Sequence, residues 1–157
     1  MPATTKGLRA NEQEWVERAM QLAVTLARAY NVAGDRPKLT PAVLDQIYSA
    51  WLANPLPDFE VVGIFNAIGV AFGQYLVDHA GMRWVVYSKD GETDIAVYRA
   101  QGKVVVFPTR LVRKRYLKRE TYFLVPMYQE AVKSMTIASR AQLQPKTPWW
   151  MFGMQHN

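Results

Sequence analysis

No cysteine occurs in the 157 residues, which excludes disulfides, thiolate metal sites and cysteine nucleophiles. Histidine is almost as scarce. His79 and His156 are the only two, too few for a histidine-rich metal site and a poor supply for the usual catalytic triads. A phosphate-cradling Walker loop, a dinucleotide glycine fingerprint, a nucleophile elbow and a zincin helix are all missing. No repeat, low-complexity tract or shift in composition marks a second domain, and residues 1–157 are expected to form one. Charged residues are sparse at 20%, against 50% apolar, which excludes wholesale disorder and leaves enough apolar side chain for a real core.

Long hydrophobic runs are also lacking. The most apolar stretch, residues 61–77, is interrupted by Asn66 and Gln74 and falls short of the roughly 20 residues of a spanning helix, so no membrane span is expected. It reads as a buried helix. Residues 1–10 carry Lys6 and Arg9 with no apolar run behind them, unlike a secretory signal, so a flexible N-terminus and a cytoplasmic protein are expected.

What is present is concentrated. The net charge is +6, and residues 110–119 hold six cations (Arg110, Arg113, Lys114, Arg115, Lys118 and Arg119) with no acid among them. The remaining chain is neutral. Such a segment can steer phosphate, anionic lipid or an acidic protein face toward the molecule, or it can be a solvated helix face whose stems cover apolar surface.

Along the chain, Asn11 and Glu14 have the spacing of a capping box ahead of a helix over residues 12–30. Residues 31–39 break it. Thr40 before Pro41 supplies an N-cap and a first-turn proline for a second helix ending near Ala53. Asp58 is the expected cap of a third helix, apolar nearly all round, with Phe59, Val62, Phe65, Ile68, Phe72 and Leu76 on one side and Gly81 as terminator. Gly63, Gly69 and Gly73 weaken it by roughly 1 kcal/mol each against alanine, so a neighbouring element should approach closely. Residues 83–88, 93–99 and 103–107 alternate as strands, and Asp90-Gly91 favours a tight hairpin. An antiparallel three-stranded meander follows. Thr109 is expected to cap a short helix that places Arg110, Lys114 and Lys118 in one stripe. Residues 122–125 suggest a fourth strand, and Pro126 opens a last helix to about Gln142. The fold class is therefore α+β: N-terminal helices and a central apolar helix on a small meander, then a short basic helix and a C-terminal one.

The stretch Val70-Ala71-Phe72-Gly73-Gln74-Tyr75-Leu76-Val77-Asp78, then Gly81-Met82-Arg83-Trp84-Val85-Val86, then Phe107-Pro108-Thr109 through Leu111-Val112 to Lys114-Arg115, resembles a small bacterial family of uncharacterised domains. The resemblance covers about residues 52–124. It implies a bacterial origin and an α+β fold, and it brings no established activity, cofactor or catalytic residue.

The candidate chemistry is thin. Asp78 and His79 are neighbours on a helix, about 100° apart, and the histidine suits the helix C-terminus better than a small site. Asp90, Glu92 and Asp94 have the first spacings of a calcium loop, but Ile95 stands where its glycine belongs and no glutamate closes it. Asp58, Glu60 and Asp94 offer carboxylates without a pattern. No catalytic residue, metal site or cofactor is assigned. The leading reading is a non-catalytic protein-binding module, an immunity or accessory protein, with a protein partner or a second copy bound through the cations and the proline-bounded tail from residue 145. That tail carries Trp149, Trp150, Met151 and Phe152. One alternative is a nucleic-acid binder in which Arg113, Lys114, Arg115 and Lys118 contact phosphate and Tyr98 or Tyr116 stacks a base. An enzyme of unrecognised type is the other.

Overall fold

The computed structural model describes residues 2–141, with side chains to Thr136. The expected aromatic tail, with Trp149, Trp150, Met151 and Phe152, lies outside the described residues. Within them the order is β1 (Thr4–Lys6), α1 (Ala10–Ala29), α2 (Pro41–Ala53), α3 (Val61–His79), β2 (Arg83–Lys89), β3 (Glu92–Arg99), β4 (Val104–Val106), α4 (Pro108–Leu117) and α5 (Leu124–Ala141). This is an α+β fold around a central apolar helix.

The meander forms as the turn chemistry demands. Asp90 and Gly91 take φ of +52° and +81°, and Lys89 faces Glu92 across a two-residue hairpin. Both central residues sit in the left-handed region, which matches the right-handed twist of the flanking strands. The sheet runs β1-β2-β3-β4, antiparallel throughout. Its fourth strand is not the expected one. Residues 4–6, expected to be flexible, pair with β2, Thr5 facing Tyr87, whereas Leu124 and Val125 begin α5. The reason lies in α2: the buried carboxylate of Asp45 accepts from Leu124 N at 2.9 Å and Val125 N at 3.1 Å, which commits that backbone to a helix start.

Three helix caps also differ from the expected ones. α1 starts two residues early, because the Glu12 carboxylate accepts from Arg9 N at 2.8 Å and leaves Asn11 inside the helix. α3 starts after Glu60, not at Asp58. Tyr30 Oη donates to Asn54 O at 2.8 Å and accepts from Leu56 N at 3.1 Å, which holds the α2–α3 connection in a turn beyond which the helix begins. α4 begins at Pro108, so Phe107 takes the cap position and Thr109 is already in the first turn. Thr40 caps α2 as expected, accepting from Val43 N, and Gly81 follows α3 at φ +67°.

α3 has the length and composition of a spanning helix, but over half of its apolar window is buried within the fold. Phe65, Ile68, Phe72 and Leu76 are core, while Val62, expected on the same side, faces solvent. The helix rests on the sheet, as expected, but makes its broadest contacts with α1 and α4. Its glycines explain the second of these. A methyl group at Gly69 would lie 2.8 Å from the backbone of Pro108 and Thr109, and one at Gly73 would lie 2.6 Å from the Trp84 ring. α4 therefore enters directly against α3, then runs back along it until Tyr116 meets Phe65 with ring centroids 5.2 Å apart.

Candidate functional site

The six cations of residues 110–119 are sorted by the fold. Arg110 donates from Nε to Asp94 Oδ2 at 2.7 Å and lies over the Phe107 ring, 4.4 Å from its centroid. Arg115 is ion-paired with Glu120 and reaches toward Met127 Sδ. Acids far in sequence or just beyond the run thus pair Arg110 and Arg115. Arg113, Lys118 and Arg119 point into solvent, and Lys114 is half-buried. The expected stripe of Arg110, Lys114 and Lys118 is therefore not a uniform cationic face, because its first member is paired with the sheet and its last stands at the helix cap.

The outward cations lie where apolar surface is also exposed. Leu117 is 69% exposed, Tyr122 57% and Val62 63%. The antiparallel run of α4 along α3 puts Leu117 at the same end as Val61 and Val62. From there the chain turns sharply. Arg119 N donates to Tyr116 O at 3.0 Å and Glu120 N to Arg115 O at 3.0 Å, the paired bonds of a Schellman ending. Such an ending places one residue in the left-handed region, normally glycine or asparagine. α1 closes in the same way with Asn31 there, at φ +57°, but α4 uses Arg119, at φ +58°. Tyr122 follows at φ +55°, a conformation that a bulky side chain rarely adopts.

Behind this turn an aromatic cluster fixes its base. Tyr116 packs on Trp51 and Phe65, and Tyr48 on Trp51 and Phe123. Tyr48 Oη and Trp51 Nε1 are buried with no hydrogen-bond partner among the described residues. Burial pushes the Tyr48 phenol up to about 12, with the neighbouring Tyr116 adding to the shift. In front, a cleft of about 500 Å³ opens between the α4–α5 turn and α5, lined by Arg115, Glu120, Tyr122, Phe123, Met127 and Glu130 among others. The sequence singled out the cations but not this turn, because Tyr122 reads there as part of a strand.

The other candidates are dispersed. His79 stacks on Tyr75 with centroids 4.1 Å apart, and Asp78 accepts from Gln74 Nε2 at 2.9 Å, so they serve different neighbours. Asp94 is held by Arg110, and Asp90 belongs to the hairpin turn. Among the described residues no group of three or more histidines and carboxylates could hold a metal ion. Of the two tyrosines considered for base stacking, Tyr116 is wedged between aromatic neighbours and Arg119, and Tyr98 lies under Arg83.

Residues 43–128, more than half of the chain, match a family described as a domain of unknown function, DUF3806. The chain belongs to the DUF3806 family. The match takes in most of α2, all of α3, the β2–β4 meander and α4, and so includes both walls of the aromatic cluster and the basic turn. A comparison with curated proteins finds no match. A crystal structure of a protein from Bacteroides thetaiotaomicron VPI-5482, at 1.50 Å resolution, is similar to this DUF3806 chain with a TM-score of 0.65 and 14% sequence identity. The likeness covers 84% of this chain and 48% of that one, so the chain spans about half the length of that protein. At this identity the likeness is one of fold.

Proposed function

We propose that this DUF3806 domain is a non-catalytic protein-binding module whose interface is the basic end of α4 and the turn that follows. The observation that carries the reading is the sorting of the cations. Arg110 and Arg115 are paired with acids of the fold, while Lys118 and Arg119 remain outward in the turn that exposes Leu117 and Tyr122, and Arg113 is exposed one helical turn before Leu117, near Glu92 and Arg110. Exposed cations beside outward apolar and aromatic side chains suit an acidic protein face. Charge steers the encounter and the apolar groups supply the contact that is lost only slowly.

A nucleic acid is the weaker reading. The proposed stacking tyrosines already have neighbours on their rings. Titrating the labelled full chain at low salt with an acidic leucine-containing peptide, and separately with an oligonucleotide of equal charge, tests the choice. The peptide should bind more tightly. Tighter binding of the oligonucleotide would overturn the reading.

A further inference from the structure

We infer that the cleft beside Tyr122 is an anchor pocket, which takes one apolar side chain from a partner segment whose flanking carboxylates rest on Lys118 and Arg119. This rests on the protein-binding reading and adds to it the chemistry of the bound segment. The volume, about 500 Å³, falls in the range of about 300–1,000 Å³ in which clefts hold ligands. Phe123 and Met127 give it an apolar floor, and Tyr122 forms an exposed wall. Arg115 and Glu120 close on each other, so that pair spends its charge inside the wall and leaves the interior to apolar contact.

Charge decides between occupants. A second copy would bring Arg113, Lys118 and Arg119 against themselves on a molecule already at net +6, so self-association is opposed. A nucleic acid carries a charge on every nucleotide but no aliphatic side chain to set against the apolar floor of Phe123 and Met127. A peptide offers both, because it can set an uncharged side chain in the cleft and its own carboxylates against the exposed Lys118 and Arg119. The backbone points the same way. Holding Arg119 and Tyr122 in the left-handed region costs stability, and in doing so it presents the Tyr122 ring at the rim of the cleft and leaves Arg119 exposed next in sequence to Glu120, which lines it.

The test uses the full chain and two synthetic peptides that are identical except at the centre: glutamates flanking a leucine, and glutamates flanking a serine. At low salt the leucine peptide should bind about tenfold or more tightly than the serine peptide, the difference expected for burying a leucine side chain. In the same titration the Met127 methyl and the Tyr122 ring should shift in the NMR spectrum. Equal affinity for both peptides would overturn the pocket and leave the acidic-partner reading standing. A tighter leucine peptide that leaves Met127 unmoved would also overturn it, by placing the anchor elsewhere. Binding of neither peptide would remove both the pocket and the reading on which it rests, and self-association of the free chain at low salt would give the cleft to a second copy instead.

Discussion

Asp45 is the side chain on which two helices depend. It sits in α2 at 2% exposure, and its carboxylate receives the first amides of α5, a cap delivered from 79 residues away in the chain. Replacing it with alanine leaves those donors buried without an acceptor, so Asp45→Ala should lose about 1–3 kcal/mol in urea unfolding. Burial pushes the Asp45 carboxyl above its ordinary value, and the amides of Leu124 and Val125 pull it partly back. The folded chain therefore keeps this proton to a higher pH than the unfolded one does. Between the two pKa values the native state holds the extra proton, so the contribution of Asp45 to stability falls as pH rises from about 4 through the raised value and is flat above it. Wild type should accordingly lose ground to Asp45→Asn over that window, and a gain would contradict the burial argument. Arg119 makes the opposite kind of statement. Arg119→Gly relieves a left-handed backbone and should raise stability by about 0.5–1 kcal/mol, even though it removes a surface cation. A loss of stability would mean that the packing of Arg119 over Tyr116 outweighs the strain.

At the scale of elements, α3 and α4 are locked by the glycines between them. Gly69→Ala places a methyl group against Pro108 backbone that has no room to yield, and should cost about 1–3 kcal/mol. Gly63→Ala meets only Leu22 Cδ2 at 3.5 Å, an ordinary contact, and should stabilise the helix by up to about 1 kcal/mol. Thermal unfolding of the two variants should move in opposite directions; a shift of the same sign in both would show that the glycines are not set by α4. The need for a close neighbour was legible in the sequence, since three glycines in an apolar helix call for one, but which glycine met it was not. Thr40-Pro41 and Asp90-Gly91 were legible because their signals are local: a hydroxyl three residues from its amide, and a dipeptide that fixes its own turn. The cap on α5 and the pairing of β1 with β2 were not, because each joins segments far apart in sequence. The Asp94 partner of Arg110 was hidden for the same reason, so the basic run looked more uniform than the fold makes it.

For the whole molecule, the net charge of +6 describes the chain less well than the distribution of cations that the fold leaves exposed. The rest of the chain is balanced, Arg110 and Arg115 are paired with acids of the fold, and Lys118 and Arg119 share a turn with exposed leucine and tyrosine. Binding should therefore depend on position within residues 110–119 and not on their total charge. The most direct test compares the affinity of two variants for the acidic leucine-containing peptide at low salt. Arg113→Gln, Lys118→Gln and Arg119→Gln combined should weaken binding about tenfold or more, as expected for the loss of three exposed charge contacts. Arg110→Gln, which removes a cation already held by Asp94, should leave affinity within about twofold of wild type. Equal loss per charge in the two variants would contradict the account, because it would mean that the partner responds to the basic segment as a whole and not to the surface the fold has selected.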